Sequence, residues 1–113
     1  MKQSLAGKMF GTFVSTGTPG GGQELTAFQS LSVAIHHGMV FVPIGYQISE
    51  ITNLDEVHGG SPWGTILESN FCAKFCLGAG TYAGADGSRQ PTPLELSVAK
   101  QQGKLFANYI QKH

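Results

Sequence analysis

The segment Ser15-Thr16-Gly17-Thr18-Pro19-Gly20-Gly21-Gly22, set between an apolar run and an amphipathic one, constrains this chain more than any other feature. Before it, residues 8–14 (KMFGTFV) are apolar and aromatic with little charge, which predicts a buried strand. After it, residues 23–37 place Phe28, Leu31 and Ile35 at i, i+3 and i+7, with Ala27 and Ala34 on adjoining rows. That spacing predicts a helix with one apolar face, and Gly38 stands where such a helix would stop. Met39-Val40-Phe41-Val42-Pro43-Ile44 is then an uninterrupted apolar run, as expected of a parallel strand covered on both faces, with Pro43 limiting hydrogen bonding near its end. Strand, glycine loop, helix, strand is one βαβ unit of an α/β sheet.

Residues 45–91 hold no periodicity for long, and so long a stretch without clear elements inside a compact domain is normally functional, disordered or a sign of misassigned elements. Order returns at Thr92-Pro93-Leu94-Glu95, a capping-box pattern with proline at the first helical position, where its missing N–H costs nothing. Leu94, Val98, Leu105 and Tyr109 lie near one face of the helix that follows, with Phe106 and Ile110 beside them; Gly103 interrupts it without ending it. No internal repeat is present. Two strands and two helices do not make a complete parallel sheet, because the outer strand edges stay open. Further strands are expected upstream or in a partner.

A chain of 113 residues is one small domain. Lys+Arg 7 against Asp+Glu 7 gives a net charge of +0, so there is no basic field to hold nucleic acid or an anionic membrane surface. The run from Met39 to Ile44 is the longest wholly apolar stretch and is far too short to span a bilayer, and the first fourteen residues lack the apolar core and cleavage site of a leader. The expected location is cytoplasmic. Cys72 and Cys76 are too few for a secreted-type disulfide framework.

A glycine turn between the carboxyl end of a strand and the amino end of a helix lets ligand atoms approach backbone N–H groups without meeting a Cβ. The loop here lacks the Gly-Lys-Ser/Thr ending of a nucleoside-triphosphate loop and the Gly-x-Gly-x-x-Gly spacing of a dinucleotide fingerprint. Neither phosphoryl transfer nor Rossmann-type binding is supported.

Four stretches of the chain resemble the WrbA-type NAD(P)H:quinone oxidoreductases, which are flavodoxin-like FMN proteins. They are Ser15-Thr16-Gly17-Thr18-Pro19-Gly20-Gly21-Gly22-Gln23-Glu24, His36-His37-Gly38 with the apolar run up to Gly45-Tyr46, Gly59-Gly60-Ser61-Pro62-Trp63-Gly64, and Ala79-Gly80-Thr81-Tyr82-Ala83-Gly84-Ala85-Asp86-Gly87-Ser88-Arg89-Gln90-Pro91. The resemblance covers nearly the whole chain and matches the C-terminal half of such a protein. It implies a flavodoxin-like parallel sheet with flanking helices, of which this chain supplies the fourth and fifth strands and the last two helices. It further implies FMN as cofactor, NAD(P)H as electron donor, a quinone reduced by two electrons, a homo-oligomer (dimer or tetramer), and a part in oxidative-stress defence.

By the same resemblance, Ser15, Thr16, Gly17, Thr18, Pro19, Gly20 and Gly21 line the flavin ring with backbone donors, and His36 lies against the flavin, donating a hydrogen bond or relaying a proton. Pro19 is an extra residue beside the commonest Thr-Gly-Thr-Gly-Gly-Gly-Gln form of the loop. The family's phosphate-cradling loop lies upstream of the matching stretch. Fixed N–H dipoles suit this chemistry, because a flavin gains negative charge at its N1/C2=O edge on reduction.

Other residues carry blander expectations. His36 and His37 are a poor metal pair, since adjacent helical residues do not converge, and no metal site is expected. Trp63 is expected to pack or to sit at an interface, and Asp86-Gly87-Ser88 with Arg89 to form a turn held by side-chain bonds to backbone. Residues 65–78 (TILESNFCAKFCLG) form an atypical insertion of fourteen residues relative to the family, of the kind a retained intron produces. Its Cys-x-x-x-Cys spacing is not the redox Cys-x-x-Cys motif. Two further possibilities are a non-catalytic, truncated paralogue or assembly partner unable to bind FMN alone, and a small anion-binding module built on the glycine turn.

Overall fold

A computed structural model of the chain describes residues 3–60 and 78–112. Trp63, both cysteines and nearly all of the 65–78 insertion lie outside the described residues. The elements run β1 (Met9–Phe10), β2 (Val14–Thr16), α1 (Gln23–His36), β3 (Val40–Phe41), a 3-10 turn (Ser49–Thr52), β4 (Gly80–Tyr82) and α2 (Pro93–Lys112). Both strand pairings are parallel: β1 with β3 (Met9 opposite Val40, Phe10 opposite Phe41) and β2 with β4 (Val14 opposite Gly80, Thr16 opposite Tyr82). The chain is an α/β unit of short parallel strands and two helices, consistent with part of a flavodoxin-like fold.

The strand expected over residues 8–14 forms as two short segments, and the pairing passes from β3 to β4 across Gly11-Thr12-Phe13. The side chain of Gln102 on α2 spans this break. Its Nε2 donates to the Thr12 carbonyl at 2.8 Å and its Oε1 accepts from the Ala79 N–H at 2.6 Å, replacing sheet bonds lost there. Glycine suits position 11, since a Cβ there would stand 3.1 Å from the Phe106 ring and the ring would have to give by a few tenths of an ångström. Strand β4 falls inside the stretch read as irregular. Its Gly-Thr-Tyr has no hydrophobic alternation to announce it, and its partner β2 lies more than sixty residues upstream.

Helix α1 ends as expected. Gly38, at φ 67, lets the Met39 N–H reach the Ala34 carbonyl at 2.9 Å while the Gly38 N–H bonds Ile35 at 3.0 Å. Its buried stripe is Gln23, Ala27, Leu31 and Ala34, whereas Phe28 and Ile35, expected on that face, are 51% and 73% exposed. The two alanines set this rotation, because small side chains bring the helix close to β2 and β3. The run after Gly38 is not covered along its whole length as expected: Val42 and Ile44 are buried, but Val40, in the same row of the strand, is exposed.

Ile44, Ile48, Ile51, Ala79 and Val98 form the core, with Leu94 and Leu105 of α2 packed against it, so the predicted apolar face of α2 is used at its first three turns. Tyr109 and Ile110 at the far end are exposed. The capping box closes in both directions, with the Glu95 N–H on Thr92 Oγ1 at 3.2 Å and the Thr92 N–H on Glu95 Oε2 at 3.0 Å.

Glu95 does more than cap. Only 3% exposed, it also accepts from the Gly59 N–H (2.6 Å), from Thr81 Oγ1 (2.8 Å) and from both terminal nitrogens of Arg89 (3.1 and 3.0 Å). Arg89 in turn lies 3.6 Å from the centroid of the Tyr82 ring and donates to the Tyr82 carbonyl at 2.9 Å. Burial alone would raise the Glu95 carboxyl, but bonds from Arg89, Gly59, Thr92 and Thr81 outweigh it and hold the group at about 2. A depressed folded-state pKa stabilises the fold above the unfolded value and loses that contribution on acidification. The linkage is worth roughly 3 kcal/mol at neutral pH. Stability should therefore be flat above about pH 5 and fall between pH 5 and 2. Denaturant melts across that range should show the loss in the native chain and a much flatter profile, from a lower starting stability, in Glu95→Gln.

Candidate functional site

The glycine loop leaves the carboxyl end of β2 and enters α1 through Gly22, at φ 82, with no side chain capping the helix start. Inside it the polar groups are sorted. Thr18 turns its carbonyl inward, where it accepts from Thr16 Oγ1 at 2.7 Å and from the Gly21 N–H at 3.0 Å. The N–H groups of Gly17, Thr18 and Gly20, by contrast, find no partner among the described residues and sit on exposed backbone. Five backbone positions that the resemblance assigns to the flavin, Gly17 to Gly21, thus form one exposed turn beside a depression of about 290 Å³ lined by Pro19, Gly20, Gly22, Gln23, Glu24 and Gly60.

Two of the glycines differ in what they would tolerate. A Cβ on Gly20 would meet nothing within 4 Å, so the space before it is open to a ligand. A Cβ on Gly21 would stand 2.8 Å from the Thr16 Cβ and 3.0 Å from the Thr18 oxygen. Gly21 is therefore required by the turn itself, whereas no atom of the described chain requires glycine at position 20.

His36 is the last residue of α1 and is exposed, as is His37. A helix of 14 residues is about 20 Å long, so the loop and His36 stand at opposite ends of it. The structure brings Ser15, Thr16, Gly17, Thr18, Pro19, Gly20 and Gly21 together and leaves His36 apart. Among the described residues no group of three His, Cys, Asp or Glu side chains could hold a metal, and no helix is long and apolar enough to cross a membrane.

Three residues that sequence reasoning passed over complete the site. Gln23 is 7% exposed, and its amide bridges the loop to Thr81 and Gly60; the carbonyl of Thr16 accepts from the Ala83 N–H at 2.8 Å. The one available signal was a glutamine at the loop-to-helix junction, on the row of Ala27, Leu31 and Ala34. The turn at Asp86 matches its expected structural role, with the Ser88 N–H and hydroxyl on Asp86 Oδ1 at 3.1 and 2.9 Å, bonds that lower the Asp86 carboxyl below its ordinary value. A larger apolar groove, about 380 Å³, lies between Phe13 and the Ala99–Phe106 side of α2, but polar groups do not converge on it.

The chain is similar over almost all of its length to proteins named as quinone oxidoreductases. It is 54% identical over 106 residues to NAD(P)H quinone oxidoreductase PST2 of Candida albicans, covering 94% of this chain and 46% of that protein. It is 47% identical over 111 residues to quinone-oxidoreductase QR2 of Triphysaria versicolor, covering 97% and 47%. The chain is a homologue of these quinone oxidoreductases over about half their length. A third relative, protoplast secreted protein 2 of Saccharomyces cerevisiae, is 52% identical over 113 residues, covering 98% of this chain and 50% of its own length. The shared half is consistent with their C-terminal one. No protein-family profile matches the chain.

The two glycines give a direct check on the loop. Gly21→Ala should destabilise the chain by about 1–3 kcal/mol through the clash with Thr16 and Thr18, whereas Gly20→Ala should leave the melting temperature within about 1 °C of the native value. Thermal melts of the two variants side by side test it.

Proposed function

We propose that this chain supplies one half of the FMN site of an NAD(P)H:quinone oxidoreductase that reduces quinones to hydroquinones by two electrons. The observation that carries this reading is the glycine loop, in which the Thr18 carbonyl is bonded within the turn and the N–H groups of Gly17, Thr18 and Gly20 have no partner among the described residues. Unpaired N–H groups on exposed backbone suit an electron-rich ring edge. The open space in front of Gly20 fits a flat ring laid against the backbone. The names of the relatives support the donor and the substrate class.

When bound, FMN supplies the hydride chemistry. The protein's own part is positional. Ser15, Thr16, Gly17, Thr18, Pro19, Gly20 and Gly21 form the loop that orients the ring, and the outward N–H groups stabilise negative charge at its edge without side-chain reorganisation. His36, standing about 20 Å from the loop along α1, would serve the flavin of another copy, which makes a homo-oligomer part of this proposal. There it would donate a hydrogen bond or relay a proton.

One observation favours a second reading, that the chain assembles with a longer relative and is not catalytic alone: Phe13 is 81% exposed beside the apolar groove on α2. Titrating the chain into FMN and following flavin fluorescence, then NAD(P)H oxidation with and without a benzoquinone, separates the two. Saturable micromolar binding with quinone-dependent turnover supports the oxidoreductase; an unquenched flavin and no turnover support the assembly partner. If the loop holds the ring, Gly20→Ala should weaken FMN binding by about tenfold while leaving the melting temperature nearly unchanged, because its Cβ projects into the ligand's space and meets no protein atom within 4 Å.

A further inference from the structure

The amide of Gln23 has only one chemically allowed orientation. The Thr81 carbonyl, 2.8 Å away, can only accept, so the group facing it is the NH₂; the Gly60 N–H, 3.0 Å away, can only donate, so the group facing it is the oxygen. With the NH₂ fixed, its second hydrogen points at Thr16 Oγ1 at 2.9 Å. The Thr16 hydroxyl must then accept from Gln23, and its own proton goes to the Thr18 carbonyl at 2.7 Å. A directional chain results: Gln23 donates to Thr16, and Thr16 donates to Thr18.

We infer that Gln23 is a positioning residue for the proposed flavin loop, setting its polarity by holding the Thr18 carbonyl inward through the Thr16 hydroxyl. Without that chain the Thr18 peptide is held by the Gly21 N–H alone, and a turned peptide would present an oxygen to the ring edge where reduction adds negative charge. Gln23 is buried on the inner stripe of α1, and its amide is taken up by Thr16, Thr81 and Gly60, so it acts on the loop through these bonds. The inference rests on the flavin reading for its consequence, and on the hydrogen bonds alone for its geometry.

The test uses the full chain with Gln23→Glu and Gln23→Met. A glutamate places an acceptor toward Thr16, drawing the hydroxyl proton away from Thr18; methionine keeps the length and removes both functions. FMN is titrated in its oxidised and its dithionite-reduced form, and amide hydrogen exchange is read at Gly21 and Gly60. Positioning predicts that both variants expose the Gly21 amide to faster exchange, and methionine the Gly60 amide as well, since glutamate keeps an acceptor for Gly60, while amides of α2 stay protected. It also predicts that the methionine variant, which adds no charge, weakens reduced FMN more than oxidised FMN, an asymmetry that general loosening of the loop would not produce; the glutamate variant's own charge repels the reduced form in any case. Methionine guards against a glutamate variant that fails to fold. Unchanged exchange at Gly21 in the methionine variant, or equal loss of both flavin forms in that variant, overturns the inference. If the native chain leaves both flavin forms unbound, the flavin reading fails, and Gly21 exchange still decides the role of Gln23.

Discussion

The carboxylate of Glu95 is the constraint on which the described structure depends. An acidic group buried to this degree persists only if its oxygens are fully occupied, and here donors from four separate stretches of chain occupy them: Gly59, Thr81, Arg89 and Thr92. The start of α2, the edge of β4 and the backbone at residue 59 are therefore located by one side chain. Because Gly59 and Thr81 lie on either side of residues 61–77, the chain is tied together across that stretch by this carboxylate as well as by Ala79 packing with Ile44, Ile48 and Ile51. With strands of two or three residues, ladder bonds alone would be too few to do this.

A second polar junction repeats the arrangement on the other side of β4. Gln23 bonds Thr81 and Gly60, the immediate neighbours of groups that Glu95 holds. Helices α1 and α2 thus meet the same short strand through one buried amide and one buried carboxylate. The glycine loop inherits its shape from this junction, since Thr16 lies in β2 opposite Tyr82 and is bonded by Gln23. The orientation of the loop's N–H groups is a consequence of strand pairing that involves residues more than sixty positions away.

How much of this was legible depended on range. The glycine loop, α1 with its Gly38 stop, the capping box of Thr92 and Glu95 and the turn at Asp86 are each specified by neighbours within a few residues, where propensity and side-chain-to-backbone bonding act directly. Strand β4 was not legible. Gly80, Thr81 and Tyr82 carry no alternation, and their strand character comes from β2 and from Arg89 lying over Tyr82. The break at Gly11-Thr12-Phe13 depends on Gln102, some ninety residues on, and the exposure of Phe28 and Ile35 on how closely Ala27 and Ala34 let α1 approach. Among the site residues, the loop could be read from its glycines, while Gln23 was hidden because a polar residue on an inner helical row declares its role only through its partners.

By itself the sequence determined the order of elements, the turn that glycine makes available and the points where both helices begin or end, because these are set by steric freedom and hydrogen bonding within a few residues. Only the tertiary structure decided which way the loop's carbonyl and N–H groups face, that Glu95 is a four-way junction as well as a cap, and that His36 stands a helix length from the loop. Those features depend on directional bonds between distant segments, whose partners are named in the sequence but brought within 3 Å of one another only by the fold.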